Sequence, residues 1–270
     1  MGKHSHGQGQ GPSTIDKERQ LASPLAVNMM IIAAKRPHDT YYHFDLNAGS
    51  GWNDEYGVPG TPLVFVELAE RYLKHWEAMF FEINQVRARE LETRLRGIPH
   101  CRVESIDNRH FMEWAGKLPR RAVGSLLADP NGWLYRSMEG VGSPVREIIE
   151  CCEMLPSLDL IANMNVRHYR LMRGDIRHHP ERAASYRRIY SLAEMPMVFR
   201  KRYGLVSNIS SNGHGQFVRV ILRNIPTNDH KALGWNLLNS PKALEIYKNL
   251  EETASERLHP GQMPLFEEMA

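Results

Sequence analysis

Apolar and polar positions fall into blocks whose period switches repeatedly between that of a strand and that of a helix. Tyr41-Tyr42-His43-Phe44 is a short apolar run of strand length. Residues 62–77 place apolar side chains at helical spacing behind Pro62, a residue suited to a first helical turn. A strand is expected at 79–83, then a charged helix at 84–96 with Glu90 and Arg94 spaced for an i,i+4 pair. Further strands are expected near 101–105, at 122–128 and at 158–164, with helices near 109–118 and at 144–154. Phe217-Val218-Arg219-Val220-Ile221-Leu222 reads as a strand that pairs with 203–209 across Gly213 to Gly215. Ser240-Pro241 opens a last helix running to 252. Ahead of the first strand, Leu21, Leu25, Val27, Met30, Ile31 and Ile32 predict a helix over 16–36, broken around Pro24. Residues 52–60, rich in Gly, Asp, Asn and Pro, predict a loop. Strands alternating with helices at this spacing predict an α/β fold with a mostly parallel, doubly wound sheet.

A length of 270 residues fits one large domain, and 42% apolar residues supply its core. Residues 1–14 contain almost nothing apolar and are expected to be a disordered tail, leaving a domain over 15–255 and a C-terminal tail over 256–270. No apolar run approaches the ~20 residues that span a bilayer, so no membrane role is expected. The first residues lack an apolar signal core, and three cysteines do not make a disulfide framework. A cytoplasmic protein is expected. The net charge of +3 is mild, but its distribution is uneven. Between Arg167 and Tyr203 stand ten Arg or Lys, three His and only three acids. A solvated helical face and a surface that follows phosphates both fit this basic insertion. In the second reading Arg167, Arg170, Arg173, Arg187 and Arg188 contact nucleic acid, because guanidinium pairs with phosphate in a bidentate way.

Two short signatures follow strand-like runs. The first is Asp45-Leu46-Asn47-Ala48-Gly49-Ser50-Gly51, and the second is Asp129-Pro130-Asn131-Gly132-Trp133. Ending a strand on an acid and turning through small residues points backbone N–H groups at a nucleotide-like ligand. The order of the two resembles class I methyltransferases that use S-adenosylmethionine. That resemblance implies a Rossmann-like, seven-stranded methyltransferase sheet. It also implies a cofactor pocket of Asp45, Asn47, Gly49 and Gly51, with Glu82 on the ribose and Asp107 on the adenine. Asp129, Pro130, Asn131 and Trp133 then stand where amino-methyltransferases hold the target amino group and stack on its base.

The Gly60-Thr61-Pro62-Leu63 segment after the turn brings in a narrower resemblance, over roughly residues 40–165. It is to the three-Cys-motif partner proteins, which carry similar segments on a methyltransferase-like fold. The chain departs from that pattern at Asn47, where an aromatic is usual, and in Glu82 lying 31 positions after Gly51. Two functions therefore remain open. One is transfer of a methyl group to an amino group of nucleic acid, DNA ahead of RNA. The other is a non-catalytic partner protein that keeps the fold to bind nucleic acid or protein. Asp129 as a strand-end cap, Glu82 as a solvated carboxylate, and Trp133 as packing against the sheet edge are the simpler alternatives.

Cys151 and Cys152 lie in a helical run without a matching pair, and His168, His178 and His179 lack a companion cluster at ligand spacing. No metal site is expected. At the C-terminus, Gly261-Gln262-Met263-Pro264-Leu265-Phe266 resembles the Q-x-x-L-F peptide by which bacterial DNA enzymes dock on the replication sliding clamp. Gln262, Leu265 and Phe266 would make that contact, the alternative being a tail that folds back on its own domain.

Overall fold

The computed structural model describes residues 12–54, 56–129, 144–165, 176–184, 188, 191, 194–212, 215–224 and 233–256. The strands are β1 Tyr41–Asp45, β2 Trp52–Asn53, β3 Val58–Pro59, β4 Trp76–Phe81, β5 Cys101–Glu104, β6 Val123–Ala128, β7 Leu158–Asn165, β8 Tyr203–Val206, β9 Ser210–Asn212, β10 Gly215–Arg223 and β11 Asn236–Leu237. The helices are α1 Pro12–Lys35, α2 Thr61–Tyr72, α3 Gln85–Arg94, α4 Phe111–Ala115, α5 Val145–Met154, α6 Met195–Val198 and α7 Pro241–Glu256.

β1 lies at the centre, parallel to β4 on one side and β6 on the other. β5 extends the parallel array beyond β4, and β7 extends it beyond β6. β10 then runs antiparallel to β7, and β8 antiparallel to β10, giving the order β11-β8-β10-β7-β6-β1-β4-β5. This is the α/β, Rossmann-like, mostly parallel sheet that the alternation of elements predicts. The seven longer strands carry it, while β9 and β11 are short additions to β10 and β8.

Alternate residues of the strands feed two cores. On one face Tyr41, Phe80, Val123, Leu127 and Ile161 pack with Leu21, Leu25, Met29 and Ile32 of α1 and with Phe65 and Ala69 of α2. On the other, Phe44, Phe81, Leu126 and Leu160 pack with Phe111, Ile148, Cys151, Ile246 and Leu250. Full burial of each such side chain contributes about 1.5–3 kcal/mol, which explains two departures from local expectation. α1 passes through Pro24 unbroken, because Pro24 lies between the buried Leu21 and Leu25 and tertiary packing offsets the missing hydrogen bond. It also begins at Pro12, so residues 12–14, expected in the tail, are helical. The second departure is at 73–77. Trp76 is buried in β4 against Phe65, so α2 stops at Tyr72 and the strand starts three residues before 79. The expected loop at 52–60 contains a small hairpin, β2 with β3.

Polar side chains are also buried on the α1/α2 face. The Tyr41 hydroxyl donates to Ser125 Oγ at 3.1 Å, and His43 Nδ1 lies 2.8 Å from the same oxygen. The His43 ring stacks on Phe65 at 3.9 Å, and burial lowers its pKa to about 3, so it stays neutral. Nearer the amino edge, Arg223 pairs with Asp159 at 2.8 Å, and Asn28 Nδ2 donates to the same Asp159 oxygen at 2.7 Å.

Candidate functional site

The carboxyl ends of β1, β4, β5 and β6 bring the first signature, Glu82, Asp107 and Asp129 to one edge of the sheet. Asp45 ends β1 and is buried. Its carboxylate accepts the Asn47 N–H at 3.0 Å and the Thr61 hydroxyl at 2.5 Å, so it holds the turn and the start of α2 together. After it, Gly49 and Gly51 take φ values of 65° and 77°, the left-handed region that disfavours a side chain. The two differ in surroundings. A Cβ on Gly51 would meet Leu91 Cδ1 at 2.6 Å, whereas one on Gly49 would have no heavy atom within 4 Å. Gly49 therefore faces open space. Gly51 O accepts from Gly60 N–H at 2.8 Å, so the hairpin loops out between the turn and α2.

Glu82 lies one residue beyond β4. Its Oε2 accepts the Gly49 N–H at 3.0 Å and its Oε1 the Asn84 N–H at 2.8 Å. Each carboxylate oxygen has a second lone pair, so both can take a further donor such as a sugar hydroxyl. Beside it Ile83 and Val86 leave apolar surface, 56% and 65% exposed. Periodicity places Ile83 inside the strand, whereas β4 ends two residues earlier at Phe81. Asp107 follows β5 and pairs with Arg109 at 2.6 Å, a contact that holds its carboxyl below the usual range. Asn108 Nδ2 donates to Leu46 O at 3.0 Å and so ties that strand end to the glycine turn.

Asp129 follows β6. Its N–H donates to Asn47 Oδ1 at 3.2 Å, and its Oδ1 accepts from Asn163 Nδ2 at 2.7 Å. Asn47, an oddity by sequence pattern, thus joins the two signatures. Asn163 is buried in β7, in register with the buried Arg219 of β10. Neither is singled out by the sequence motifs. The available signal is a polar residue at an inward position of an apolar strand, which burial tolerates only with partners.

Pro130, Asn131 and Trp133 lie outside the described residues, as do Arg167, Arg170, Arg173 and Arg187 of the basic insertion and Gln262, Leu265 and Phe266 of the tail. Arg188 is exposed, with Nε 3.3 Å from Glu194 Oε2. Among the described residues no cluster of His, Cys, Asp or Glu could hold a metal ion, and no helix is long and apolar enough to cross a membrane.

Burial raises the Asp45 carboxyl from 3.8 to about 6, against the hydrogen bonds from Thr61 and Asn47 that lower it. The folded state therefore binds more protons than the unfolded chain between these two values. Stability should fall as pH rises through that window, by about 3 kcal/mol for two units. Urea unfolding of the wild type and Asp45→Asn at pH 4 and pH 7 checks this. The wild type should lose ground relative to the variant as the pH rises, and a constant difference would exclude it.

Protein LPL1258 from Legionella pneumophila str. Philadelphia 1 overlays the chain with a TM-score of 0.53 at 11% identity, over 89% of this chain and 94% of that one. DszA carbon methyltransferase overlays at 0.47 and 13% identity, over 81% and 56%. Precorrin-6y C5,15-methyltransferase from Geobacter metallireducens GS-15 overlays at 0.42 and 10% identity, over 76% and 88%. The likeness is one of fold. No protein-family model matches the chain, and no curated protein matches it.

Proposed function

We propose that the protein is an S-adenosylmethionine-dependent methyltransferase acting on an amino group of nucleic acid, most readily a DNA base. One observation carries this reading. Glu82 bonded to Gly49, and Asn47 bonded to Asp129, join a cofactor-type turn and a target-type acid at one sheet edge. The residues present suit the cofactor. Glu82 has lone pairs for a ribose diol, Ile83 and Val86 offer an apolar surface for a flat purine, and the open side of Gly49 leaves room above the turn. Bound S-adenosylmethionine supplies an activated methyl group on a sulfonium. The chain has only to orient the nucleophile and exclude water.

In this reading Asp129 accepts a hydrogen bond from the target NH₂ and fixes the direction of its lone pair. Asn163 holds the carboxylate in place through Oδ1. Pro130, Asn131 and Trp133 complete the target side, with Trp133 stacking on a base taken out of its helix. The basic insertion, including Arg167, Arg170, Arg173, Arg187 and Arg188, would follow phosphates. Asp45 has a positioning role, since its carboxylate is buried and already engaged by the turn.

The test is transfer of labelled methyl groups from the cofactor to mixed DNA, RNA and cell protein. Label should appear in nucleic acid and fall by roughly 10²-fold or more in Asp129→Ala, the scale of losing one positioned polar contact in an active site. Label in protein alone would reassign the substrate. A specific observation favours the second reading, a non-catalytic partner protein of the three-Cys-motif partner kind. The backbone and one oxygen of Asp129 are already bonded to Asn47 and Asn163, as a purely structural acid would be. That reading expects no label in any fraction.

We further propose that Gln262 to Phe266 docks on the replication sliding clamp. A peptide ending at Ala270 should bind a bacterial clamp in the micromolar range, and replacing Leu265 and Phe266 by Ala should abolish binding without changing the melting temperature. A loss of several degrees with no clamp binding would instead make the tail part of the fold.

A further inference from the structure

At the amino edge of the sheet, opposite the candidate site, an open pocket of about 520 Å³ is lined by Pro156, Met197, Arg200, Lys201, Arg202 and Asn224. Its construction follows from the chain. α6 is C-capped by the buried Phe199, and Arg200 then takes a φ of 55°, the one non-glycine residue with positive φ among those described. Such a conformation persists only where its surroundings enforce it. They do so here through Lys201, which is 4% exposed. Its Nζ donates to Leu158 O at 2.5 Å and to Pro156 O at 3.2 Å, which staples the loop to the start of β7. Asn224 Nδ2 adds bonds to Pro156 O at 3.0 Å and Arg200 O at 3.3 Å. Arg202 N–H donates to Arg223 O at 3.1 Å.

With Lys201 directed inward, the flanking Arg200 and Arg202 are left exposed at the pocket. Beside these three consecutive cations is Glu153, whose Oε2 lies 3.8 Å from Arg200 Nε, with both side chains more than half exposed. Screening makes such an exposed pair weak. Among the lining residues Lys201 carries a buried ammonium, Arg200 and Arg202 are exposed guanidinium forks, and the exposed Met197 adds apolar surface. That combination of fixed positive charge and planar donors suits a phosphate group, with room beside it for a sugar or base.

We propose that this pocket binds a phosphate group of a nucleotide or of a nucleic-acid strand, held by Arg200 and Arg202 over Lys201. The strands are about six residues long, so the pocket lies roughly 20 Å from the edge that carries Glu82 and Asp129. A strand contacting both would have to run along the molecule for several nucleotides. The proposal does not depend on methyl transfer, and its test contains no methyl donor.

Two probes are titrated against the full chain by fluorescence anisotropy and competition: a labelled single-stranded DNA 12-mer and adenosine 5′-monophosphate. The double variant R200Q/R202Q is compared with R89Q/R96Q, which removes the same charge from exposed positions on and just after α3. Both side chains in the test variant are exposed, so its melting temperature should match the wild type. Binding of at least one probe should weaken tenfold or more in R200Q/R202Q and not in R89Q/R96Q. If the 12-mer is affected, the slope of log affinity against log salt should also flatten by roughly 1.4, the loss expected for two phosphate contacts to a single strand. An effect on the 12-mer alone assigns the phosphate to a strand, and an effect on the monophosphate assigns it to a free nucleotide. No binding of either probe by the wild type, or equal losses in the two double variants, would overturn the proposal.

Discussion

Asp159→Ala is expected to destabilise the fold by about 3–5 kcal/mol, a large effect for a single replacement. Asp159 and Arg223 are buried on adjacent parts of the sheet edge, with side chains 8% and 3% exposed and a nitrogen–oxygen distance of 2.8 Å. Removing the carboxylate leaves a guanidinium in a medium that solvates it poorly, and the Asn28 amide loses its acceptor as well. The pair itself adds little net stability, because desolvation offsets much of its attraction. Breaking one half is what costs. Asp159→Leu combined with Arg223→Met should therefore recover most of the loss. Urea unfolding of the wild type, the single variant and the double variant checks both statements, and a single-variant loss under about 1 kcal/mol would exclude the first.

Glu82 carries the second large effect, this time on binding. Its two oxygens hold the Gly49 and Asn84 N–H groups, and each has a second lone pair. If those lone pairs take the ribose hydroxyls of the cofactor, Glu82→Gln removes one charge-assisted acceptor and should weaken cofactor binding by roughly 1–3 kcal/mol, or about 5- to 150-fold. Glu82→Ala should be worse, since the glycine turn then loses the group that fixes it. The expected order of affinity is wild type, Gln, Ala. A Gln variant that binds as tightly as the wild type would remove Glu82 from the ligand contact and leave it as a turn anchor.

The parts of this site that are legible in the sequence are those set by local pattern. Apolar runs ending in Asp45, Glu82 and Asp129 become strands whose ends share an edge, and the helix expected over 84–96 forms as α3, Gln85–Arg94, with Asn84 as its N-cap and with Glu90 and Arg94 3.8 Å apart. The parts that are not legible depend on partners distant in the chain. Trp76 reads as the end of an amphipathic helix until Phe65 and the neighbouring strands are in place to bury it. Pro24 reads as a break until the packing of Leu21 and Leu25 outweighs it. Asn108 and Asn163 reach Leu46 and Asp129 across 62 and 34 positions, and no spacing rule links such residues. Asn47 is the converse case. A departure from pattern in one dimension becomes, in the fold, the hydrogen bond that connects the glycine turn to Asp129.

Everything proposed for catalysis rests on the edge formed by Gly49, Glu82 and Asp107 being a cofactor pocket. Titration calorimetry of the full chain with S-adenosylmethionine and with its demethylated product probes that edge without requiring a substrate. Saturable one-to-one binding of at least one of them is expected, weakened in Glu82→Gln and further in Glu82→Ala. No heat of binding up to millimolar ligand, with a protein whose thermal unfolding shows it to be folded, would contradict it.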